Sequence, residues 1–325
     1  MRLRRSRLAG ECITRRRRGR GFGYQHYDGS PVTDAETLDR IRALAVPPAW
    51  RDVWICPWPN GHIQATGTDD AGRKQYLYHA QWREDRDRQK FDRVRKLSAK
   101  LPALREQVTT DLAAGGLARQ RVTAVALRML EQGVFRIGND EYVESNGTYG
   151  VSTLLREHVA VRRGRLEFCF PAKGQKERRV ALEDRELAKA VTSLKRFRTG
   201  SDRLLMHRDG KDWRPLDSQD VNERLHELVG DEFTVKDLRT WNATVLAAVI
   251  LAGRKGQGSK RVAVREMYEQ VAHHLGNTPA ITRKSYVDPR VVTAFEQDRA
   301  IRPSTDLDSV ERSVARLLSR TDFDT

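Results

Sequence analysis

The chain has 325 residues, and 60 Lys and Arg against 44 Asp and Glu leave a formal charge of +16 at pH 7. That surplus points to a polyanionic partner, nucleic acid before membrane. No apolar run approaches the roughly 18 residues a membrane-spanning helix needs. The basic start MRLRRSRLAGE lacks the apolar stretch of a secretory signal, and no GxxxxGK[ST] phosphate loop is present. Cys12, Cys56 and Cys169 are scattered and show no zinc or redox spacing, which fits a reduced, cytoplasmic setting.

In chain order, residues 1–82 are rich in Gly, Pro, Trp and Tyr and read as a small β domain. DVWICPW and GHIQATG alternate like strands, and Pro47, Pro48, Pro57 and Pro59 oppose long helices. GRKQYLYH interleaves Arg73, Lys74, Gln75, Tyr76 and Tyr78. Strand alternation would put Tyr76 and Tyr78 on one face, available to phosphates or sugars; the alternative is a half-buried tyrosine ladder. Composition shifts after Trp82, so residues 83–325 read as a second, mainly helical domain. WREDRDRQKFDRVRKLSAKL carries Phe91, Val94, Leu97 and Leu101 at helical spacing, and RVTAVALRMLEQG is a helix ending at Gly133. HVAVRR, RLEFCF and ERRVALE predict one small antiparallel sheet. TVKDLRTWNATVLAAVILAG predicts a buried helix and RVAVREMYEQVAHHLG another, ending at Gly276. The tail after about 303 reads as polar and peripheral. The fold class expected is α+β.

Five residues in separate segments are candidates for chemistry: Arg136 in FRIGNDEY, Lys173 in FPAKGQKE, Arg239 in KDLRTWNAT, and Asn277 and Tyr286 in HHLGNTPAITRKSY. Each alone has an ordinary reading: a helix cap, a solvated hairpin lysine, an ion pair, a turn asparagine, and a packed ring with a wet hydroxyl. In order, the set Arg, hairpin Lys, helix Arg, turn Asn, Tyr resembles the active-site series of type IB DNA topoisomerases. RIGNDEYVESNGTYGVSTLLREHV, KDLRTWNAT and LGNTPAITRKSYVDP are similar to the poxvirus and bacterial branch, and VPPAWRDVWICPWPNGHIQATGTDDAGRKQYLYH resembles its bacterial members, over roughly residues 13–290 in all.

The resemblance implies a monomer closing as a clamp around double-stranded DNA, without cofactor, metal or membrane attachment, on the bacterial nucleoid. Tyr286 would attack phosphorus, Arg136 and Arg239 would hold the non-bridging oxygens, and Lys173 would protonate the leaving 5′ oxygen. Asn277 stands where poxvirus and nuclear relatives have His, so it would donate a neutral hydrogen bond. His273 and His274, just before it, read as helix-surface or packing residues. Ala172 replaces the usual Gly before the lysine, and Lys176 is the alternative acid. Asn139 and Tyr142 match base-contacting positions of poxvirus relatives. Lys236, assigned to DNA contact, stands where tyrosine recombinases have His; that class shares the chemistry and is the alternative reading, opposed also by the β character of residues 1–82.

Overall fold

The computed structural model describes residues 2–197 and 199–323. The chain divides into two compact units, Met1–Lys90 and Phe91–Thr325.

In the first unit β1 (Ile13–Arg18), β2 (Gly21–His26), β3 (Arg51–Ile55), β4 (Ile63–Thr68) and β5 (Lys74–Tyr78) form one antiparallel sheet in the order β2-β1-β3-β4-β5. Ile13 opposes Ile55 across the β1–β3 ladder. With Val32, Val53, Ala65 and Ile41 they make this unit's core. Ile41 comes from α1 (Ala35–Ala43), a helix not foreseen from the sequence. Pro47 and Pro48 lie beyond its end, and Asp34 caps its start by accepting from the Thr37 amide at 2.7 Å.

Helix α2 (Ala80–Leu97) carries the chain into the second unit and buries Phe91, Val94 and Leu97, the stripe its spacing predicts. Then come α3 (Leu101–Ala113), α4 (Arg119–Glu131) and α5 (Asp140–Asn146). β6 (Val159–Arg162), β7 (Arg165–Ala172) and β8 (Lys176–Glu183) form the expected antiparallel sheet. α6 (Arg185–Arg196) follows. A second, unexpected sheet is the hairpin of β9 (Met206–Asp209) and β10 (Asp212–Pro215). The remaining helices are α7 (Ser218–Val229), α8 (Val235–Gly253), α9 (Lys260–Leu275), α10 (Pro279–Ser285), α11 (Pro289–Glu296) and α12 (Leu307–Ser319). α8 is buried over most of its surface, hiding Leu238, Trp241, Ala243, Ala247 and Leu251, as a helix apolar on nearly all sides must.

The segment after 303 is not peripheral, contrary to expectation. Val310, Val314 and Leu318 of α12 join the main core, and burying each stabilises the fold by roughly 1.5–3 kcal/mol. Glu311 accepts from Trp241 Nε1 at 2.9 Å and from both terminal nitrogens of Arg105 at 2.8 and 2.9 Å. Arg105 also reaches Glu131 at 2.9 Å. A polar composition thus conceals an apolar stripe and a buried, fully paired carboxylate, the arrangement a buried charge requires.

Candidate active site

The site is built where the first turns of α8, the segment after α4, and the ends of α9 and α10 meet. Arg239 lies on α8 and is only 4% exposed. Its Nη1 donates to the carbonyls of Gly133 (2.6 Å) and Phe135 (3.1 Å), and its Nη2 to that of Leu275. One guanidinium therefore ties the chain leaving α4 to the last turn of α9. Gly133 must be glycine here: its φ is +71°, and a Cβ would stand 2.6 Å from Asn242 Cγ. Asp237, one turn into α8, accepts from the Thr234 amide at 2.9 Å and binds Arg93 through both carboxylate oxygens, which fixes this end of the helix.

Arg136 follows Phe135 in the tied segment. Its carbonyl accepts from the Val151 amide at 2.8 Å, and its Nη2 donates to Asn277 Oδ1 and, at 3.4 Å, to the Gly276 carbonyl. Gly276 takes the left-handed cap of α9 at φ +61° and presents Asn277. Tyr286 ends α10, its amide bonded to the Thr282 carbonyl at 3.0 Å and its carbonyl to Thr244 Oγ1 of α8 at 3.3 Å. Its half-buried ring centre lies 5.4 Å from the Arg239 guanidinium carbon.

The structure adds a residue that sequence reasoning missed. Arg178 of β8 donates to the His273 carbonyl at 3.0 Å and to that of His274. Arg136, Arg178 and Arg239 hydrogen-bond to carbonyls and an amide oxygen rather than to carboxylates. Their charges therefore stay unneutralised. Burial lowers the pKa of Arg136, while the neighbouring Tyr286 hydroxyl acts in the opposite sense. Burial, and then the charge of Arg136, brings Arg239 down to about 10, so it is still a cation at neutral pH. Three buried donors of this cluster, Arg178 Nε, Arg239 Nε and Asn277 Nδ2, have no hydrogen-bond partner among the described residues. Buried donors without partners are costly, and a phosphate offers the charge and acceptors to satisfy them.

Arg136, Arg239, Asn277 and Tyr286 are thus brought together. Lys173 is not: it stands exposed in the β7–β8 turn, with Gly174 and Gln175 at φ +82° and +57°. No hydrogen bond or ion pair among the described residues joins it to the cluster. Lys176, also exposed, opens β8 on the same face as Arg178. His273 is exposed, and His274 is half-buried with Nε2 3.2 Å from the Gln132 carbonyl.

Of the other candidates, Lys236 is exposed in the first turn of α8. Asn139 caps α5 by accepting from the Glu141 amide at 3.1 Å, and Tyr142 is 54% exposed on that helix. In the first unit Lys74, Tyr76 and Tyr78 share the outer face of edge strand β5, with the two rings stacked 6.0 Å apart. Arg73 and Gln75 are instead held by Asp69 through contacts of 2.9–3.0 Å. Tyr78 also borders a cleft of about 600 Å³ lined by Arg5, His62, Trp82, Arg83 and Arg86. Arg86 lies over the Trp82 ring, its guanidinium carbon 4.5 Å from the ring centre.

Residues 79–302 match the family model of the eukaryotic DNA topoisomerase I catalytic core, and residues 21–69 that of the bacterial DNA topoisomerase IB N-terminal domain. The chain belongs to the type IB DNA topoisomerases, enzymes of the isomerase class that act on DNA. DNA topoisomerase 1B of Acanthamoeba polyphaga mimivirus is 29% identical over 288 residues, which cover 85% of each chain. DNA topoisomerase 1 of Caenorhabditis elegans is 26% identical over 225 residues, 60% of this chain and 25% of that one. Among solved structures, the XerH site-specific recombinase bound to difH substrate in a pre-cleavage complex aligns over 59% of this chain and 50% of its own. The TM-score is 0.36 at 16% identity, too slight a likeness to bear on fold or function. Among the described residues, no helix is long and apolar enough to cross a membrane.

Proposed function

We propose that the protein relaxes supercoiled duplex DNA by cutting one strand with Tyr286, holding its 3′ end as a phosphotyrosine, and resealing it without ATP or metal. The observation that carries this reading is the un-neutralised arginine cluster around the Tyr286 side chain. The Tyr286 hydroxyl oxygen gives its proton to solvent and forms a bond to phosphorus while the bond from phosphorus to the 5′ oxygen breaks. Arg136, Arg239 and Asn277 hold the non-bridging oxygens as charge builds there. The departing 5′ oxygen takes a proton from Lys173, and resealing runs the same steps backward. One phosphodiester replaces another, so no nucleotide hydrolysis is needed. On this reading the enzyme works in the cytoplasm, on the nucleoid, as a monomer, since one chain carries every residue the reaction uses.

Incubating purified protein with supercoiled plasmid in EDTA without ATP tests this directly. Stepwise relaxation is expected. No change in topology would refute the reading, and products only between paired specific sites would favour a recombinase.

The general acid is tested with a strand bearing sulfur at the 5′ bridging position, a leaving group that hardly needs a proton. Lys173→Ala should cleave ordinary DNA about 10²- to 10⁴-fold more slowly, the usual worth of a positioned acid, yet cleave the sulfur-bridged strand near the unaltered rate. Lys176→Ala should behave normally on both. Rescue of the Lys176 variant instead would move the acid to the residue that shares the Arg178 face.

A further inference from the structure

Arg178 has no part in the reaction as written above, yet it is built into the cluster. On β8 it pairs in register with Phe170, while Val180 pairs with Phe168 and Leu182 with Leu166. These partners are all buried. Arg178, Val180 and Leu182 therefore form the inward stripe of β8, which ends in an arginine. A charge on such a stripe needs partners, and Arg178 finds them at the end of α9, in the carbonyls of His273 and His274. The C-terminal carbonyls of a helix are its negative pole, so a guanidinium suits them. Gly276 leaves room for it: a Cβ there would sit 3.2 Å from Arg178 Nη1. The next residue is Asn277, bonded to Arg136. Arg178 Nε is buried without a hydrogen-bond partner among the described residues, as is Asn277 Nδ2. Helix capping alone does not call for this placement, because it sets one cation close to another with no carboxylate between them.

We infer that Arg178 is a positioning residue of the strand-transfer reaction, reaching from β8 to brace the α9 turn that carries Asn277. Through that turn it holds the Asn277 side chain where it meets the phosphate. The inference rests on the transesterification reading proposed above. A tie of this kind acts on the geometry of the reacting complex rather than on the docking of DNA.

The test uses the full chain, with single-turnover formation of the covalent DNA adduct at saturating DNA as the readout. DNA affinity and the thermal unfolding midpoint are measured alongside. Arg178→Ala should slow adduct formation by about 10- to 100-fold, the scale of a small misplacement of a reacting group, with DNA affinity nearly unchanged. Arg178→Lys, which keeps a cationic donor at the same carbonyls, should recover part of the loss. Because Arg178 acts through the turn, Arg178→Ala combined with Asn277→Ala should be no slower than the slower single variant. A merely structural role would not produce that non-additivity. An Arg178→Ala variant as fast as the unaltered protein, or a double variant whose losses multiply, would overturn the inference. If Arg178→Ala does not fold, the same cycle is run with Arg178→Lys and judged by the same two outcomes. Failure of the unaltered protein to form any adduct would overturn the reading of the reaction itself.

Discussion

Tyr286→Phe is expected to abolish nicking and relaxation while leaving DNA affinity and the unfolding midpoint close to those of the unaltered protein. The ring packs against the main core, and the backbone of residue 286 is held by Thr282 and Thr244. A phenylalanine keeps these contacts and loses the nucleophilic hydroxyl, which neighbours Arg136 and Arg239. Substitutes are poorly placed. The Thr282 side chain is fully buried, and Tyr268, on α9, has its pKa pushed up by burial, which opposes phenolate formation. Gel assays of plasmid relaxation and of covalent adduct should both be blank. Residual adduct from the Phe variant would contradict the role of Tyr286.

Arg239→Ala should be the other severe substitution, and it should act on both rate and stability. The guanidinium donates to three carbonyls from two separate segments. Removing it leaves buried acceptors unmade, at about 1–3 kcal/mol each, so thermal unfolding should shift down clearly. Adduct formation should fall by about 10²- to 10³-fold, the loss that follows removal of an oxyanion donor. Arg239→Lys should restore some stability but little rate, because an ammonium lacks the planar fork that matches two phosphate oxygens. A bridging sulfur should rescue neither variant, since the missing function is charge stabilisation rather than protonation. An alanine variant that cleaves normally, whatever its stability, would exclude Arg239 from the phosphate site.

Much of the helical frame was legible from residue spacing. The apolar run of α8, the Gly276 stop of α9 and the alternation of β7 and β8 are strong local patterns. α12 was not recognised, because its apolar residues are four apart among charges and the partners of its Glu311, Trp241 and Arg105, are remote in sequence. The four-residue strands β9 and β10 are too short to show a period. For the site, motif resemblance picked out Arg136, Arg239, Asn277 and Tyr286, which the structure gathers together. Residue type alone would have suggested an ion pair for Arg239; its backbone acceptors come from tertiary packing. Arg178 escaped notice because the motif drew attention to Lys173. The available signal was alternation, which puts position 178 on the same face as Val180 and Leu182. Lys173, found by motif, stands exposed at its hairpin turn.

The most direct test of the central claim is to trap the covalent intermediate. Protein is mixed with a duplex labelled separately on each side of the cleavage site, denatured, digested and analysed by peptide mass. The account predicts one adducted peptide, with the DNA joined through its 3′ phosphate to Tyr286 and a free 5′ hydroxyl on the released strand. Attachment through a 5′ phosphate, attachment to any other residue, or strand cutting with no covalent intermediate would contradict it.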